Sequence, residues 1–393
     1  MEKLHEFVLG LGLFGLFTST IYTVLAALGV GRFLRRKYAG AQICFEPPVS
    51  LLKPLHGGEP NLETHLATFF EQDYPAYEIL FCARRLDDAG LMAARRVASL
   101  YPQIPVQFLA SGEPTVPNAK ILSLDLMARA AKHDLLIISD SDVRVDRKYV
   151  REVAGAFADA SVGAVTCLYR GVAAQGGLWS RIEAAAMSIE MSAGVLVADM
   201  LEGMKFTLGP TMAVRRSCLE EIGGFLPMGE YCADDFLLGN RVAERGHTVV
   251  LSEYVIDHVV LHADFWPSMQ HQARWMKSTR FSRPKGHLGT ALTFSVPFGL
   301  LTAAAICVLH GPRWTWLAGL VLLWSVGTRM LLALAVSKSV LREQSAWQSV
   351  LLYPLRDLLG IFFWAASYCS RKVLWRNEIY RLEQDGRMRR VDR

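Results

Sequence analysis

Two kinds of apolar patterning divide this chain. Residues 7–30 are almost wholly apolar, long enough to cross a bilayer, and they end in Arg32, Arg35, Arg36 and Lys37. Positive charge after the segment places that side in the cytoplasm. The apolar run is too long for a cleaved leader, and its charge sits on the wrong flank. From about residue 49 to residue 260 the pattern changes to short apolar runs separated by helical periodicity. Runs at 49–52, 78–82, 106–109, 135–139 and 162–168 predict strands, and segments at 61–70, 91–101 and 120–132 predict the helices between them. Such alternation predicts a mostly parallel sheet covered on both faces.

Residues 184–200 are apolar but interrupted by Glu190 and Asp199. They fit equally a helix lying on the membrane surface and one packed on the sheet. Further on, 290–309 and 314–336 are long enough to span, joined by a turn at His310-Gly311-Pro312-Arg313. Residues 351–370 contain Pro354, Arg356 and Asp357. A full crossing there would put the basic tail (Arg371, Lys372, Arg376, Arg381, Arg387, Arg389, Arg390, Arg393) outside, so a re-entrant or interfacial segment is expected. The expected organisation is a membrane helix and basic stop over 1–40, a cytosolic α/β domain over 41–285, and membrane or re-entrant segments with a basic tail over 286–393.

Composition agrees with a soluble domain tied to a membrane: 52% of the 393 residues are hydrophobic, yet 20% are charged. The net charge of +5 is modest, and no dense basic run interleaves with aromatics, so nucleic acid is not an expected partner. Basic residues gather beside apolar segments, where anionic headgroups attract them. The seven cysteines (Cys44, Cys82, Cys167, Cys218, Cys232, Cys307, Cys369) form no CxxC pair, which argues against zinc and against a disulfide framework. That pattern fits a reducing cytosol.

The strongest chemical signal is an apolar strand that runs from Asp134 straight into Asp140-Ser141-Asp142. Ligands of open α/β sheets bind beyond the carboxyl ends of strands, where this pair is delivered. Hard oxygen ligands suit Mg²⁺ or Mn²⁺, which bridges diphosphate oxygens and offsets the charge of a departing nucleoside diphosphate. The plainer alternative is a pair that caps a turn. Asp87 and Asp88 follow the 78–82 run. They suit hydrogen bonds from a nucleobase or ribose, or are solvated turn acids. Asn118 and Lys120 open a helix, where an ammonium suits a phosphate, or serves as a surface charge. Asp234 and Asp235 stand amid apolar neighbours. They suit a general base whose proton affinity is raised by burial and by a like charge, or a helix cap. Pro267 opens a helix that places His271, Arg274 and Trp275 on one face. Arginine binds a diphosphate bidentately and tryptophan can cover an acceptor; an amphipathic interfacial helix is the alternative.

In this order the motifs resemble the GT-A glycosyltransferases with a D, D, D, (Q/R)xxRW signature, and most closely the ceramide glucosyltransferase family. The resemblance lies in Leu51-Leu-Lys-Pro-Leu-His-Gly-Gly-Glu-Pro-Asn-Leu-Glu, Phe69-Phe-Glu-Gln-Asp-Tyr-Pro, Pro117-Asn-Ala-Lys120, Gly223-Gly224-Phe225 ahead of Asp235, and Arg274-Trp275 followed by Lys277. It covers nearly the whole chain and implies a Rossmann-like nucleotide-sugar domain flanked by transmembrane helices. It further implies that Asp88 contacts uridine, that Asp140 and Asp142 hold metal and nucleotide, and that Asp235 is the base. Arg274 and Trp275 would bind diphosphate and shape the acceptor site. Two positions depart from the pattern: His271 stands where Gln or Arg is usual, and the middle motif is Asp-Ser-Asp. A neutral imidazole there binds phosphate more weakly than arginine does. Thr166-Cys-Leu-Tyr-Arg-Gly, Gly177-Leu-Trp-Ser-Arg and Ser282-Arg-Pro-Lys-Gly-His are similar to a bacterial hopanoid-associated branch of the same family.

The resemblance therefore implies an inverting transfer from a UDP-sugar to a membrane lipid hydroxyl at the cytosolic face, with UDP-glucose and ceramide as the expected pair. A hopanoid polyol receiving N-acetylglucosamine from its UDP-sugar is the alternative. A polysaccharide synthase would need more than about three spans to form a channel. A nucleotidyltransferase would carry a Gly-rich phosphate loop, of which Leu55-His-Gly-Gly-Glu is only a faint echo. A non-catalytic membrane-surface protein would not need the assembled acids.

Overall fold

The computed structural model describes residues 2–36, 45–174, 176–261, 263–375 and 378–391. Lys37, Cys44, Arg376 and Arg393, and the expected boundary at residues 40–41, lie outside the described residues. The chain divides into two compact units. One comprises Arg36–Val172, Glu202–Leu261 and Asn377–Arg393; the other Met1–Arg35, Ala173–Leu201 and His262–Arg376. The helices at Leu178–Glu202 and Phe265–Ser282, expected inside the α/β domain, thus group with the apolar helices.

The first unit is built on an eight-stranded sheet: β1 (Val49–Pro54), β2 (Tyr77–Ala83), β3 (Val106–Ala110), β4 (Leu135–Ser139), β5 (Val143–Arg144), β6 (Val162–Ala173), β7 (Thr211–Arg215) and β8 (Thr248–Val260). Their order is β3-β2-β1-β4-β7-β6-β8-β5. Every residue of β1, β2 and β4 is buried, as continuous apolar runs covered on both faces must be. Helices Leu62–Phe70, Ala89–Ala98 and Ala119–Ala130 make the crossovers that parallel pairing of β1 with β2 and β4, and of β2 with β3, requires. Glu78 on β2 is tolerated inside because Ser50 Oγ (2.8 Å), Lys132 N (2.7 Å) and Gln107 Nε2 (3.1 Å) donate to its carboxylate.

The sheet is more mixed than the alternation predicts. β7 pairs antiparallel with β4 and with β6, and β5 pairs antiparallel with β8. This reversal has a functional consequence. It lays the entrance of β7 beside the exit of β4, with Thr211 opposite Ser139, and His258 of β8 opposite Val143. Residues remote in sequence are thereby brought to both ends of Asp140-Ser141-Asp142. The basic tail is also structured: Glu378–Leu382 and Met388–Arg390 form an antiparallel hairpin, anchored where Met388 N donates to Glu230 O at 2.6 Å.

The second unit is helical. Among the described residues, four of its helices are long and apolar enough to cross a membrane: Glu2–Leu34, Leu178–Glu202, Pro312–Val340 and Ala346–Cys369. The broken pair Pro284–Thr293 and Val296–His310, bent by 47°, adds up to one more. These are the marks of a membrane protein. Small residues let the helices touch. A Cβ at Gly12 would lie 2.3 Å from Thr302 Oγ1, and one at Gly15 would lie 2.1 Å from the Phe298 ring.

Within the helical unit, Leu178–Glu202 packs against Ala346–Cys369 and contains a π-helical turn at Ala186–Met191. Ala346–Cys369 runs unbroken through Pro354, where a re-entrant segment would turn back. The bend falls instead before Val296, within the span expected at 290–309. Asp357 is the reason both can stand. Its Oδ2 accepts from Ser295 N (2.8 Å) and Val296 N (2.7 Å), the groups a new helix start leaves without intrahelical partners. Arg329, 3.5 Å from Asp357 Oδ1, balances the charge and donates to Thr293 O at 3.0 Å.

Candidate active site

In the α/β unit, four elements converge on the carboxyl edge of β4. The first is β4 itself, which ends at Ser139 and presents Asp140. The second is the helix Ala119–Ala130. Asn118 caps it through Lys120 N (3.2 Å), and Lys120, its second residue, directs its ammonium to Asp140 Oδ1 at 2.7 Å and to within 3.8 Å of Asp234 Oδ2. Lys120 is thus a buried ion-pair partner and not a surface lysine. Burial alone would lower its proton affinity, but Asp140, Asp234 and Asp235 together push it above the ordinary lysine value.

The third element is the helix Asp234–Glu244, which begins with both acids. Asn118 Nδ2 donates to Asp234 Oδ1 at 3.1 Å, and this bond joins the two helix starts. Asp235 Oδ1 accepts from Phe236 N (2.8 Å) and Oδ2 from Gly209 N (2.8 Å). Neither acid is the cap residue, which is Ala233. Burial, and then the charge of Asp234, raise the Asp235 carboxyl to about 6.

The fourth element is the turn before β7. A Cβ at Gly209 would stand 3.2 Å from Asp235 Oδ2 and 3.6 Å from Asp140 Oδ2. Asp140 and Asp235 therefore converge on one glycine, whose missing side chain leaves a gap between them. The helix bearing Asp235 can come this close because Gly239 rests on the backbone of Phe206 and Thr207, where a Cβ would meet atoms at 2.4 Å.

Asp142 faces β8, where His258 Nε2 lies 3.1 Å from its Oδ2 and Val259 N donates to its carbonyl at 2.8 Å. Ser141 Oγ donates to Glu59 Oε1 at 3.0 Å. Asp87 is exposed and pairs with Arg85. Asp88 caps the helix Ala89–Ala98 through Gly90 N (2.8 Å) and also accepts from Gly57 N (3.0 Å), so it ties the turn after β1 to the turn after β2. Lys53 in β1 is fully buried, with its Nζ 2.6 Å from Asp140 O and 3.6 Å from the Phe69 ring centre.

In the helical unit, His271, Arg274 and Trp275 lie on the Phe265–Ser282 helix. The His271 and Trp275 rings are 4.5 Å apart, as one helical turn requires. His271 Nδ1 lies 2.6 Å from Oε1 of Glu183, a fully buried carboxylate. The Arg274 guanidinium stands over the Trp375 ring at 5.9 Å.

The sequence pattern of glycosyl transferase family 21 matches residues 12–388. The chain belongs to glycosyl transferase family 21. It is 24% identical over 343 residues to ceramide glucosyltransferase 1 of Caenorhabditis elegans, covering 87% of this chain and 73% of that one. Ceramide glucosyltransferase of Komagataella phaffii is 33% identical over 101 residues, 25% of this chain and 20% of that one. Among solved structures, the mannosyltransferase PcManGT from Pyrobaculum calidifontis, in complex with GDP-Man and Mn²⁺, superposes with a TM-score of 0.52 at 18% identity. It covers 90% of this chain and 99% of that one, a likeness of GT-A fold. The family 21 chain is a glycosyltransferase, and a hexosyltransferase among them.

The donor chemistry at β4 suits a hard divalent cation. Asp140 and Asp142 are carboxylates whose side chains remain 31% and 27% exposed, each already oriented by one partner, Lys120 or His258. Among the described residues no group of three or more His, Cys, Asp or Glu is placed to hold an ion. A two-carboxylate set leaves the other positions to diphosphate oxygens and water, the way Mg²⁺ is commonly held.

The residues the sequence reading missed are Lys53, Glu183, Gly209 and His258. A lysine inside an otherwise apolar strand was the one local mark available. The other three reach their partners through tertiary pairing.

Proposed function

We propose that the protein transfers glucose from UDP-glucose to the primary hydroxyl of a ceramide-type membrane lipid, with inversion at the anomeric carbon. The observation that carries the reading is the convergence of Asp140 and Asp235 on Gly209, with Lys120 paired to Asp140 and near Asp234. The names of the curated relatives supply glucose and ceramide. Mn²⁺ beside the nucleotide sugar in PcManGT accords with a cation at Asp140 and Asp142.

In this reading Asp235 is the base. Its raised affinity suits it to take the lipid hydroxyl proton while the oxygen bonds to the anomeric carbon and the bond to the diphosphate breaks. Gly209 N and Phe236 N fix the carboxylate while it waits. Lys120, held by Asp140, adds positive charge toward the departing UDP. Asp140 and Asp142 hold the divalent cation, which when bound offsets diphosphate charge. Asp234 keeps Lys120 and Asn118 in place. Asp88 presents the turns after β1 and β2 to the uridine. By the family pattern Arg274 is assigned to the diphosphate and Trp275 to the acceptor, and His271, braced by Glu183, stands where Gln or Arg is usual. The catalytic unit faces the cytosol, where nucleotide sugars are available.

The test offers radiolabelled UDP-glucose or UDP-N-acetylglucosamine to membranes containing the protein, with ceramide or a hopanoid polyol, and extracts the lipids. Glucose on ceramide is expected. Label on the hopanoid alone would replace the acceptor; label in no lipid would overturn the reading.

A further inference from the structure

Among the described residues the helical unit holds two buried arginine–carboxylate pairs, and only one is consumed by the fold. Arg329 and Asp357 stabilise the bend before Val296: Asp357 accepts two amides, and Arg329 donates to the carbonyls of Thr293 and Ser19. Arg356, the next residue on the same helix, is used differently. Its side chain is 5% exposed, and Nη2 lies 2.9 Å from Glu190 Oε2. Its Nε and Nη1 are buried and have no hydrogen-bond partner among the described residues. Leaving guanidinium donors unmet in an apolar bundle is costly, so such a group is expected to have a ligand. Glu190 remains 25% exposed on its side chain and sits within the π-helical turn Ala186–Met191. Turns of this kind recur at functional sites. The Phe363 ring covers one side of Arg356 at 5.1 Å, and buried Tyr353 lies within electrostatic reach of Glu190, Arg329 and Asp357.

We propose that Arg356 and Glu190 form a binding site for the uncharged, hydroxyl-bearing head of a membrane lipid. Arg356 and Glu190 carry opposite charges, so the pair has no net charge. A phosphate head would set a second anion beside Glu190. A hydroxyl-rich neutral head accepts from Arg356 and donates to Glu190 without new charge. The ligand is the acceptor lipid itself or a neutral bystander lipid, and only the first identity rests on the lipid-transfer reading above.

The test uses the full chain in phosphatidylcholine vesicles and the double variant Arg356→Met with Glu190→Gln, which removes both charges together and leaves neither stranded. In one arm, a short-chain fluorescent ceramide is titrated and KM is read for it and for UDP-glucose. In the other, Tm is measured with and without diacylglycerol, and with phosphatidylglycerol. If the acceptor binds here, the double variant keeps its Tm and its UDP-glucose KM while the ceramide KM rises at least tenfold. If a bystander binds here, diacylglycerol raises the Tm of the wild type and not of the double variant. A double variant that matches wild type in both arms overturns the site, and so does a Tm rise given equally by phosphatidylglycerol. A wild type that glycosylates no lipid overturns the transfer reading, while the diacylglycerol arm still judges the site.

Discussion

Lys53 Nζ donates to the main-chain carbonyl of Asp140 at 2.6 Å, from a position in β1 with no solvent exposure. One strand thereby pins the first residue beyond its neighbour, and so the start of the Asp140-Ser141-Asp142 turn. Burial, opposed in part by Asp140 and Asp142, lowers the lysine to about 7 from its usual 10.5. In the unfolded chain the amine keeps its proton up to 10.5, so between 7 and 10.5 the unfolded state binds more protons. This group's effect on stability therefore becomes less unfavourable as pH rises through that window. Thermal unfolding of the wild type should show the rise between pH 7 and 9, and Lys53→Met should lack it. The same variant should lose at least tenfold in kcat, because the turn that carries Asp140 is no longer held.

Asp235 should set the acidic limb of activity. Its carboxyl is raised to about 6, and the transfer needs the carboxylate, so kcat/KM should fall as pH drops below about 6. The effect on stability has the opposite sense. Between the usual 3.8 and 6 the folded state binds the extra proton, so this group favours the fold at low pH and the benefit is lost as pH rises through 6. Asp235→Asn should abolish turnover and keep UDP binding within about threefold, read by transfer assay and calorimetry. More than a few per cent residual turnover would remove Asp235 from the base role.

How much of this was legible follows from which contacts are local. β1, β2 and β4 announce themselves as buried apolar runs, and the helix starts are marked by Asp88 and Asn118, whose side chains cap the backbone. Asp140 and Asp142 are legible because a strand points at them. β7 and β8 were not read: one is five residues long, and the other mixes buried with half-exposed positions, so neither gives a clean run or a clean alternation. Gly209 and His258 reach the site only through the antiparallel registers of those strands, Thr211 with Ser139 and His258 with Val143. Antiparallel pairing across more than 70 residues leaves no mark in the local sequence. The charge in 351–370 could not be read locally for a related reason: Asp357 is satisfied by amides at Ser295 and Val296, which the segment itself does not contain.

Gly209 should separate catalysis from folding. Its added Cβ would meet two carboxylate oxygens at 3.2 and 3.6 Å and no backbone, so Gly209→Ala needs only a slight side-chain adjustment. The methyl would occupy the gap between Asp140 and Asp235. A loss of at least tenfold in kcat with Tm within about 2 °C is expected. Gly239→Ala is the counterpart, since its Cβ would strike the Phe206 and Thr207 backbone at 2.4 Å. Overpacking of that kind costs about 1–3 kcal/mol, which denaturant titration would register.

Lys120 balances three acids, and its removal should be felt in both folding and transfer. The ammonium is buried 2.7 Å from Asp140 and 3.8 Å from Asp234. In Lys120→Met those carboxylates lose the ammonium that pairs with them, and stranding a buried ion-pair partner costs on the order of 3–5 kcal/mol. Divalent cation should restore part of that loss, because Asp140 then gains a replacement partner. Thermal melts with and without millimolar Mn²⁺ should show a larger cation-induced rise in Tm for Lys120→Met than for the wild type. Asp140→Asn in the same background should abolish the difference. An equal rise in the variant and the wild type would mean that Asp140 is not where the cation binds.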